Sequence, residues 1–309
     1  MKVIFAGTPA MVLPCLEALH QSEGIELVGV VSRADTKARR GMKMQASAVK
    51  SYALKHQIDV ITPLSLKQDE ESLLWLQQKK ADVLIVVAYG LILPESWLTA
   101  ATFGAVNLHA SLLPRWRGAA PIERALLAGD AETGVCVMAM DQGLDTGAVY
   151  SRCVVPIETD TTTVSLRDTL MNQGAELLVE SLKDIVDATL IAEPQPDEGT
   201  SYAHKITNDE RIIDWQKSAT LVGRQVRTFT PKPGARTMLQ GKWLKIISGE
   251  VIAQNSNLNC GDVLLEKNTF DVGCLDSTYR VTQVQPEGKR VMAVQDFMRG
   301  LQQTKELKV

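Results

Sequence analysis

Three residues of this chain have types and settings that could carry a reaction: Asn107, His109 and Asp145. Asn107 and His109 are two apart, so on an extended strand they point to the same face. Gly104-Ala-Val-Asn107 reads as a short strand, and Ser111 to Gly118 (Ser-Leu-Leu-Pro-Arg-Trp-Arg-Gly) as the loop leaving its carboxyl end. Asp145 sits in Gly143-Leu-Asp-Thr-Gly147, which reads as a turn. An amide that donates, an imidazole that titrates near neutrality and a carboxylate that can orient it are the groups an acyl-type transfer needs. Taken singly, each also suits a purely structural role, as a strand-end histidine or a turn aspartate.

These residues need a scaffold, and the hydrophobic pattern supplies one. Val3–Ala6, Leu27–Val31, Val60 and Val83–Ala88 read as strands; the last is the near-continuous apolar run of a strand buried on both faces. Pro14–His20, Ala46–His56, Asp69–Lys79, Ile122–Ala128 and Thr163–Ala188 read as helices, with later strands at Gly134–Met140 and Ala148–Pro156. The alternation predicts an α/β fold with an N-terminal doubly wound, Rossmann-like parallel sheet, whose sites form beyond the carboxyl ends of the strands. The first strand ends in Gly7-Thr-Pro9 rather than G-x-G-x-x-G, so no nicotinamide or flavin dinucleotide is expected, and no P-loop is present. Glu193-Pro-Gln-Pro-Asp-Glu-Gly199 has the composition of a linker. A helical stretch near Ala219–Phe229 leads to Thr230-Pro-Lys-Pro-Gly234, which reads as hinge-like. From Ala235 onward, short runs (235–239, 244–247, 261–264, 270–273 and 279–284) read as a small β-barrel. The expected division is a catalytic domain over 1–189, a linker over 190–205 and a barrel domain over 206–309.

Composition sets the outer bounds. The 309 residues are 45% hydrophobic and 22% charged, as in an ordinary globular protein with room for two domains. Five cysteines without C-x-x-C spacing indicate neither a disulfide framework nor a zinc site, and no metal is expected. Met1-Lys-Val-Ile-Phe5 enters a strand without the apolar stretch of a signal peptide, and no run is long enough to span a bilayer, so the expectation is a cytoplasmic protein with no membrane partner. A monomer is expected, although nothing in the sequence itself gives the oligomeric state. The net charge of −3 conceals an asymmetry. Residues 206–309 hold 15 Lys and Arg against 11 Asp and Glu, while residues 1–205 hold 18 against 25. A basic minor domain suits a polyanion partner, although an excess this small is common.

Asn107-x-His109-x-Ser111-Leu-Leu-Pro114 with a downstream Asp145-Thr-Gly147 resembles the folate-dependent formyltransferases. Phe5-Ala-Gly-Thr-Pro9, Ala88-Tyr-Gly90 with Leu93-Pro94, Arg115-Trp-Arg-Gly-Ala-Ala-Pro121, Tyr202-Ala-His-Lys-Ile206, Ile213-Asp-Trp215 and Gly288-Lys-Arg-Val-Met292 resemble its methionyl-tRNA-formylating branch, nearly end to end. The resemblance implies an OB-like barrel, a platform often used for nucleic acid. It implies transfer of the formyl group of 10-formyltetrahydrofolate, a co-substrate rather than a tightly bound cofactor, to the α-amine of methionyl initiator tRNA. Asn107 and His109 would donate to the oxyanion, and Asp145 would orient His109 and relay protons. Ser111, Leu112, Leu113 and Pro114 would shape the folate pocket through backbone groups, and Val87, Ala88, Tyr89, Gly90 and Leu91 would line its pterin side. The basic loop Arg33–Lys43, with Arg39, Arg40 and Lys43, would reach the RNA, and Lys205, Arg227 and Lys245 would extend a phosphate track. Asp35, Gly41 and Lys50 also match the family, whereas Arg33-Ala34, Thr36-Lys37 and Ser47-Ala48 depart from it, removing prolines. Three other readings stay open: a formyltransferase for a sugar nucleotide or glycinamide ribonucleotide, a hydrolase releasing formate, and a non-enzymatic RNA-binding module.

Overall fold

The computed structural model describes residues 1–37, 44–252, 258–266, 269–300 and 307–308. They form two compact units: Met1–Pro121, Glu132–Pro156 and Arg167–Ala203 make one, and Ile122–Ala131, Ile157–Leu166 and His204–Val309 the other.

The first unit is built on β1 (Lys2–Gly7), β2 (Glu26–Val31), β3 (Val60–Ile61), β4 (Val83–Val87), β5 (Ala105–His109), β6 (Glu132–Ala139) and β7 (Val149–Pro156), in the order β7-β6-β5-β4-β1-β2-β3. β5, β4, β1, β2 and β3 run parallel, while β6 is antiparallel to β5 and β7 to β6. The parallel sheet expected from the sequence therefore carries an antiparallel margin. All five residues of β4 (Val-Leu-Ile-Val-Val) are buried, as the unbroken apolar run requires. Each such side chain contributes roughly 1.5–3 kcal/mol by leaving water. The helices α1 (Leu13–Gln21), α2 (Ala48–Lys55), α3 (Glu70–Gln78) and α4 (Thr163–Val186) follow the predicted segments. Ser47 accepts the Lys50 N–H at 2.9 Å to start α2, and Asp69 accepts the Ser72 N–H at 3.0 Å to start α3, so each cap satisfies a donor the helix leaves over.

The second unit packs α5 (Ala219–Phe229) against an antiparallel, barrel-like sheet of β8 (Ala235–Leu239), β9 (Lys242–Ile252), β10 (Asp262–Glu266), β11 (Thr269–Gly273) and β12 (Thr278–Pro286). Ala219, Val222, Val226 and Phe229 recur at helical spacing and enter its core with Tyr279, Phe270 and Val284. β9 is longer than the four-residue run expected, because Ser248, Gly249 and Glu250 break the apolar run after Ile247. The hinge-like segment 230–234 lies inside this unit, closed by a Gly234 N–H to Phe229 O bond of 2.8 Å. A short helix, α6 (Val294–Arg299), follows β12.

Candidate active site

β5 presents its two faces to different neighbours. Leu108 turns toward α4, where the close approach depends on Gly174: a Cβ there would stand 2.9 Å from Leu108 Cδ2. Alternation then sends Asn107 and His109 to the opposite face. β6 returns antiparallel, with Asn107 opposite Met138 and His109 opposite Cys136, and the turn after it folds so that Asp145 lies beside this pair. Asp141 holds that turn by accepting from Gly143 N at 2.9 Å and from Thr146 Oγ1 at 2.8 Å. Asp145 itself has φ 53°, a left-handed conformation that aspartate tolerates better than most residues.

The three residues meet at the Asp145 carboxylate. Asn107 Nδ2 lies 3.5 Å from Oδ1, and His109 Nδ1 lies 3.6 Å from Oδ2. The other ring nitrogen, Nε2, is 3.0 Å from the Trp116 carbonyl. A carbonyl only accepts, so Nε2 carries a hydrogen, and His109 has an acceptor on each side of its ring. The ring is 6% exposed, so its polar atoms depend on these partners. Oδ2 of Asp145 accepts the Gly118 N–H at 2.7 Å. Gly118 has φ 115°, and a Cβ on it would sit 3.0 Å from the Ala203 carbonyl, so glycine is needed for this approach.

Sequence reasoning passed over two residues that hold this arrangement. Gln195 Nε2 donates to Asp145 O at 2.9 Å and to Gly147 O at 2.7 Å, while its Oε1 accepts from Arg117 Nε and Nη2 at 3.0 and 2.8 Å. Ser201 Oγ accepts the Trp116 N–H at 3.0 Å, beside a two-residue parallel pairing of Tyr202–Ala203 with Arg117–Gly118. Both lie in the Pro- and Gly-containing stretch whose composition reads as a linker. Their only signal is tertiary.

The strand order reverses between β1 and β4, and in such sheets a ligand crevice opens outside the carboxyl ends at that point. Thr8 Oγ1, just past β1, donates to Tyr89 O, just past β4, at 2.7 Å. Val87 is buried, Ala88 (φ 45°) and Gly90 (φ 90°) turn the chain, Leu91 is half-buried, and Ile92 is 93% exposed. Burial raises the Tyr89 hydroxyl to about 12, opposed by the charge of Arg33. That hydroxyl has no hydrogen-bond partner among the described residues. Ser111 is buried with its Oγ donating to Arg115 O at 2.6 Å, and Leu113 joins Cys136, Met138 and Val149 in the core. Leu112 packs on Gly134, and Pro114 accepts the Ser201 N–H at 3.3 Å. The side chains of Ser111 and Leu113 are thus engaged within the protein.

Arg39, Arg40 and Lys43 lie outside the described residues. Among the described residues that flank them, Asp35 pairs with Lys50 through contacts of 2.8 and 2.9 Å. In the second unit Lys205 is exposed, Lys245 is half-buried, and Arg227 donates to the carbonyls of Glu158 and Thr161 at 3.3 and 3.2 Å. Among the described residues no group of three His, Cys, Asp or Glu is placed to hold a metal ion, and no helix is long and apolar enough to cross a membrane.

Residues 1–182 match the family model described as "Formyl transferase", and residues 205–302 match "Formyl transferase, C-terminal domain". The chain belongs to the formyltransferase family. This formyltransferase is 45% identical over 301 residues to a methionyl-tRNA formyltransferase of Dechloromonas aromatica, covering 97% of this chain and 96% of the other. It is also 45% identical over 305 residues to one of Pseudoalteromonas translucida, covering 97% and 94%. Among solved structures it resembles an N-formyltransferase from Helicobacter canadensis in complex with folinic acid and dTDP-3-aminofucose (TM-score 0.68, 18% identity, 92% of this chain and 100% of that one). At that identity the likeness shows the fold. The family is enzymatic and uses folate derivatives as formyl donors.

Proposed function

We propose that this formyltransferase moves the formyl group of 10-formyltetrahydrofolate to the α-amine of methionyl initiator tRNA, giving N-formylmethionyl-tRNA for translation initiation. The observation that carries the chemistry is the convergence of Asn107 and His109 on the Asp145 carboxylate at the carboxyl end of β5. The acceptor rests on the near end-to-end likeness to relatives of that name.

The amine nitrogen bonds to the formyl carbon, the bond from that carbon to N10 breaks, and the proton lost by nitrogen ends on N10. Asn107 Nδ2, whose contact to Asp145 is long at 3.5 Å, turns to the developing oxyanion; His109 supports the same charge. Asp145, fixed by Gly118 N–H and by Gln195 on its carbonyl, receives and returns the proton. The loops 87–91 and 111–114 hold the folate, and Arg39, Arg40 and Lys43 contact the tRNA together with Lys205, Arg227 and Lys245.

Single-turnover transfer from labelled 10-formyltetrahydrofolate tests this, with methionyl initiator tRNA, methionyl elongator tRNA or no acceptor. Formylated product on the initiator alone is expected. Formate released without an acceptor would replace the transferase reading by hydrolysis. Separately, Arg40→Glu should weaken tRNA-dependent transfer and leave folate binding intact; equal loss of both would remove Arg40 from the RNA contact.

A further inference from the structure

The outer face of the β8–β9 hairpin carries charge that its own fold leaves unanswered. Arg236 pairs directly opposite Lys245, and Met238 opposite Trp243. Ala235, Thr237, Leu239 and Leu244 are buried, so alternation turns Arg236, Met238, Trp243 and Lys245 away from the core. Like charges set directly opposite one another destabilise a strand pair. Elsewhere in this sheet an opposed charge is answered: Asp271 faces Arg280 and accepts two hydrogen bonds of 2.8 Å. On β8–β9, Arg236 and Lys245 form no ion pair among the described residues.

A third cation joins them. The bridge between Ile212 and Arg236 brings in Arg211, which donates to the carbonyls of Gly234 and Pro233 at 3.2 and 2.9 Å and to Asn208 at 3.0 Å, all neutral partners. The Arg236 guanidinium lies 4.2 Å over the Trp243 ring, and its buried Nε has no hydrogen-bond partner among the described residues. Burial, with the charges of Arg211, Lys232 and Arg236, lowers the pKa of Lys245, as befits a cluster short of an anion. Beside it opens a cavity of about 300 Å³, walled by Trp243, Met238 and residues 212–216. The Trp215 Nε1–H to Thr237 Oγ1 bond of 3.0 Å fixes part of its wall. Asp214, also in the wall, has Oδ1 occupied by the Gln216 N–H at 3.0 Å.

We infer that this hairpin face is a nucleotide subsite: an unpaired base of an RNA strand stacks on Trp243 in the cavity, and its phosphate binds Arg236, Lys245 and Arg211. The inference rests on the RNA-acceptor reading above and adds where, and through which groups, the second unit takes hold of the strand. Aromatic stacking beside a cationic track is how single strands are held without regard to base identity. An arginine stacked on indole keeps its guanidinium edge free for phosphate. A phosphodiester supplies the negative charge that Arg236 and Lys245 lack.

The test uses the full-length protein and four variants: Trp243→Ala, Trp243→Phe, Arg236→Gln and Lys245→Gln. Two quantities are read: binding of a fluorescein-labelled single-stranded ribo-octanucleotide across a salt series, and kcat and KM for methionyl-tRNA. Trp243→Ala should weaken octanucleotide binding and raise KM, each about ten-fold, with kcat unchanged, and Trp243→Phe should recover most of both. Arg236→Gln and Lys245→Gln should each lower the salt slope by about one. If the unaltered protein formylates methionyl-tRNA while all four variants match it in KM and salt slope, the subsite is overturned. A fall in kcat at constant KM in Trp243→Ala overturns it too. If the unaltered protein binds the octanucleotide through Trp243 yet does not formylate methionyl-tRNA, the acceptor reading falls and the subsite stands. Should Trp243→Ala fail to fold, the phenylalanine and Arg236→Gln proteins decide the same question.

Discussion

Asp145 is gripped firmly from behind and loosely from in front. Gly118 N–H reaches its carboxylate at 2.7 Å and Gln195 its carbonyl at 2.9 Å, whereas Asn107 and His109 stand 3.5 and 3.6 Å away. The grip fixes the carboxylate while leaving the Asn107 amide free to shorten onto a reacting carbonyl, with the His109 ring held by the Trp116 carbonyl at 3.0 Å. Asn107→Ala should therefore lower kcat about 10²–10³-fold with little change in the KM for methionyl-tRNA, as loss of one oxyanion donor does. Near-normal single-turnover rates would remove Asn107 from that role. Gln195→Ala leaves two carbonyls and Arg117 without their partner. It should cost about 1–3 kcal/mol in urea unfolding and also reduce kcat, since Asp145 loses its backbone anchor. A stability loss with unaltered kcat would confine Gln195 to the fold. Asn107 and His109 were legible from their spacing on a strand, but Gln195 was not, because an amide between two prolines has no periodicity to betray it.

Single elements make two further predictions. The helix Pro121–Ala128 is tied within the second unit by Arg124, which pairs with Glu210 and donates to His204 O at 3.0 Å. The Arg124 hydrogen bond, helped by the Thr207 N–H, lowers the Glu210 carboxyl to about 2. An unfolded glutamate titrates near about 4.3. The folded value is the lower, so this contribution is complete above the unfolded value and is lost as pH falls from about 5 toward 2. Denaturant unfolding at pH 5 and pH 3 should show a smaller loss of stability in Glu210→Gln than in the parent; equal losses would mean that the pair adds nothing. In α1, Cys15 is fully buried and burial raises its thiol to about 12. Iodoacetamide at pH 8 should leave Cys15 unmodified in the native protein and label it after unfolding, and native labelling would show that α1 opens. The element boundaries themselves were readable where burial is one-sided, as in α5, and short where strands carry polar residues, as in β9.

Across the whole molecule, the strand order of the first unit converts local pattern into a site. The reversal between β1 and β4 sets Thr8 against Tyr89, one strand away from His109 at the end of β5. The antiparallel β6 runs back to the amino end of β5, and the turn after it folds so that Asp145 returns to Asn107 and His109. Contacts also group Ile122–Ala131 and Ile157–Leu166 with the C-terminal residues, an arrangement that no linear composition profile can express. In the second unit, the pairing register makes neighbours of Arg236 and Lys245, which are nine residues apart in a basic stretch where neither stands out.

By itself, the sequence determined the buried strand β4, the helices α1 to α4, the α/β alternation and the shared face of Asn107 and His109. Each follows from spacing within a few residues, where sterics and burial act locally. The family motifs then added a role for Asp145. Only the tertiary structure decided that Asp145 meets His109 through a left-handed turn, that Gly118 and Gln195 hold it there, and that Arg236 stacks on Trp243. These are hydrogen bonds and ring contacts between groups remote in the chain. Their geometry depends on strand register and backbone approach, which exist only once the sheets have formed.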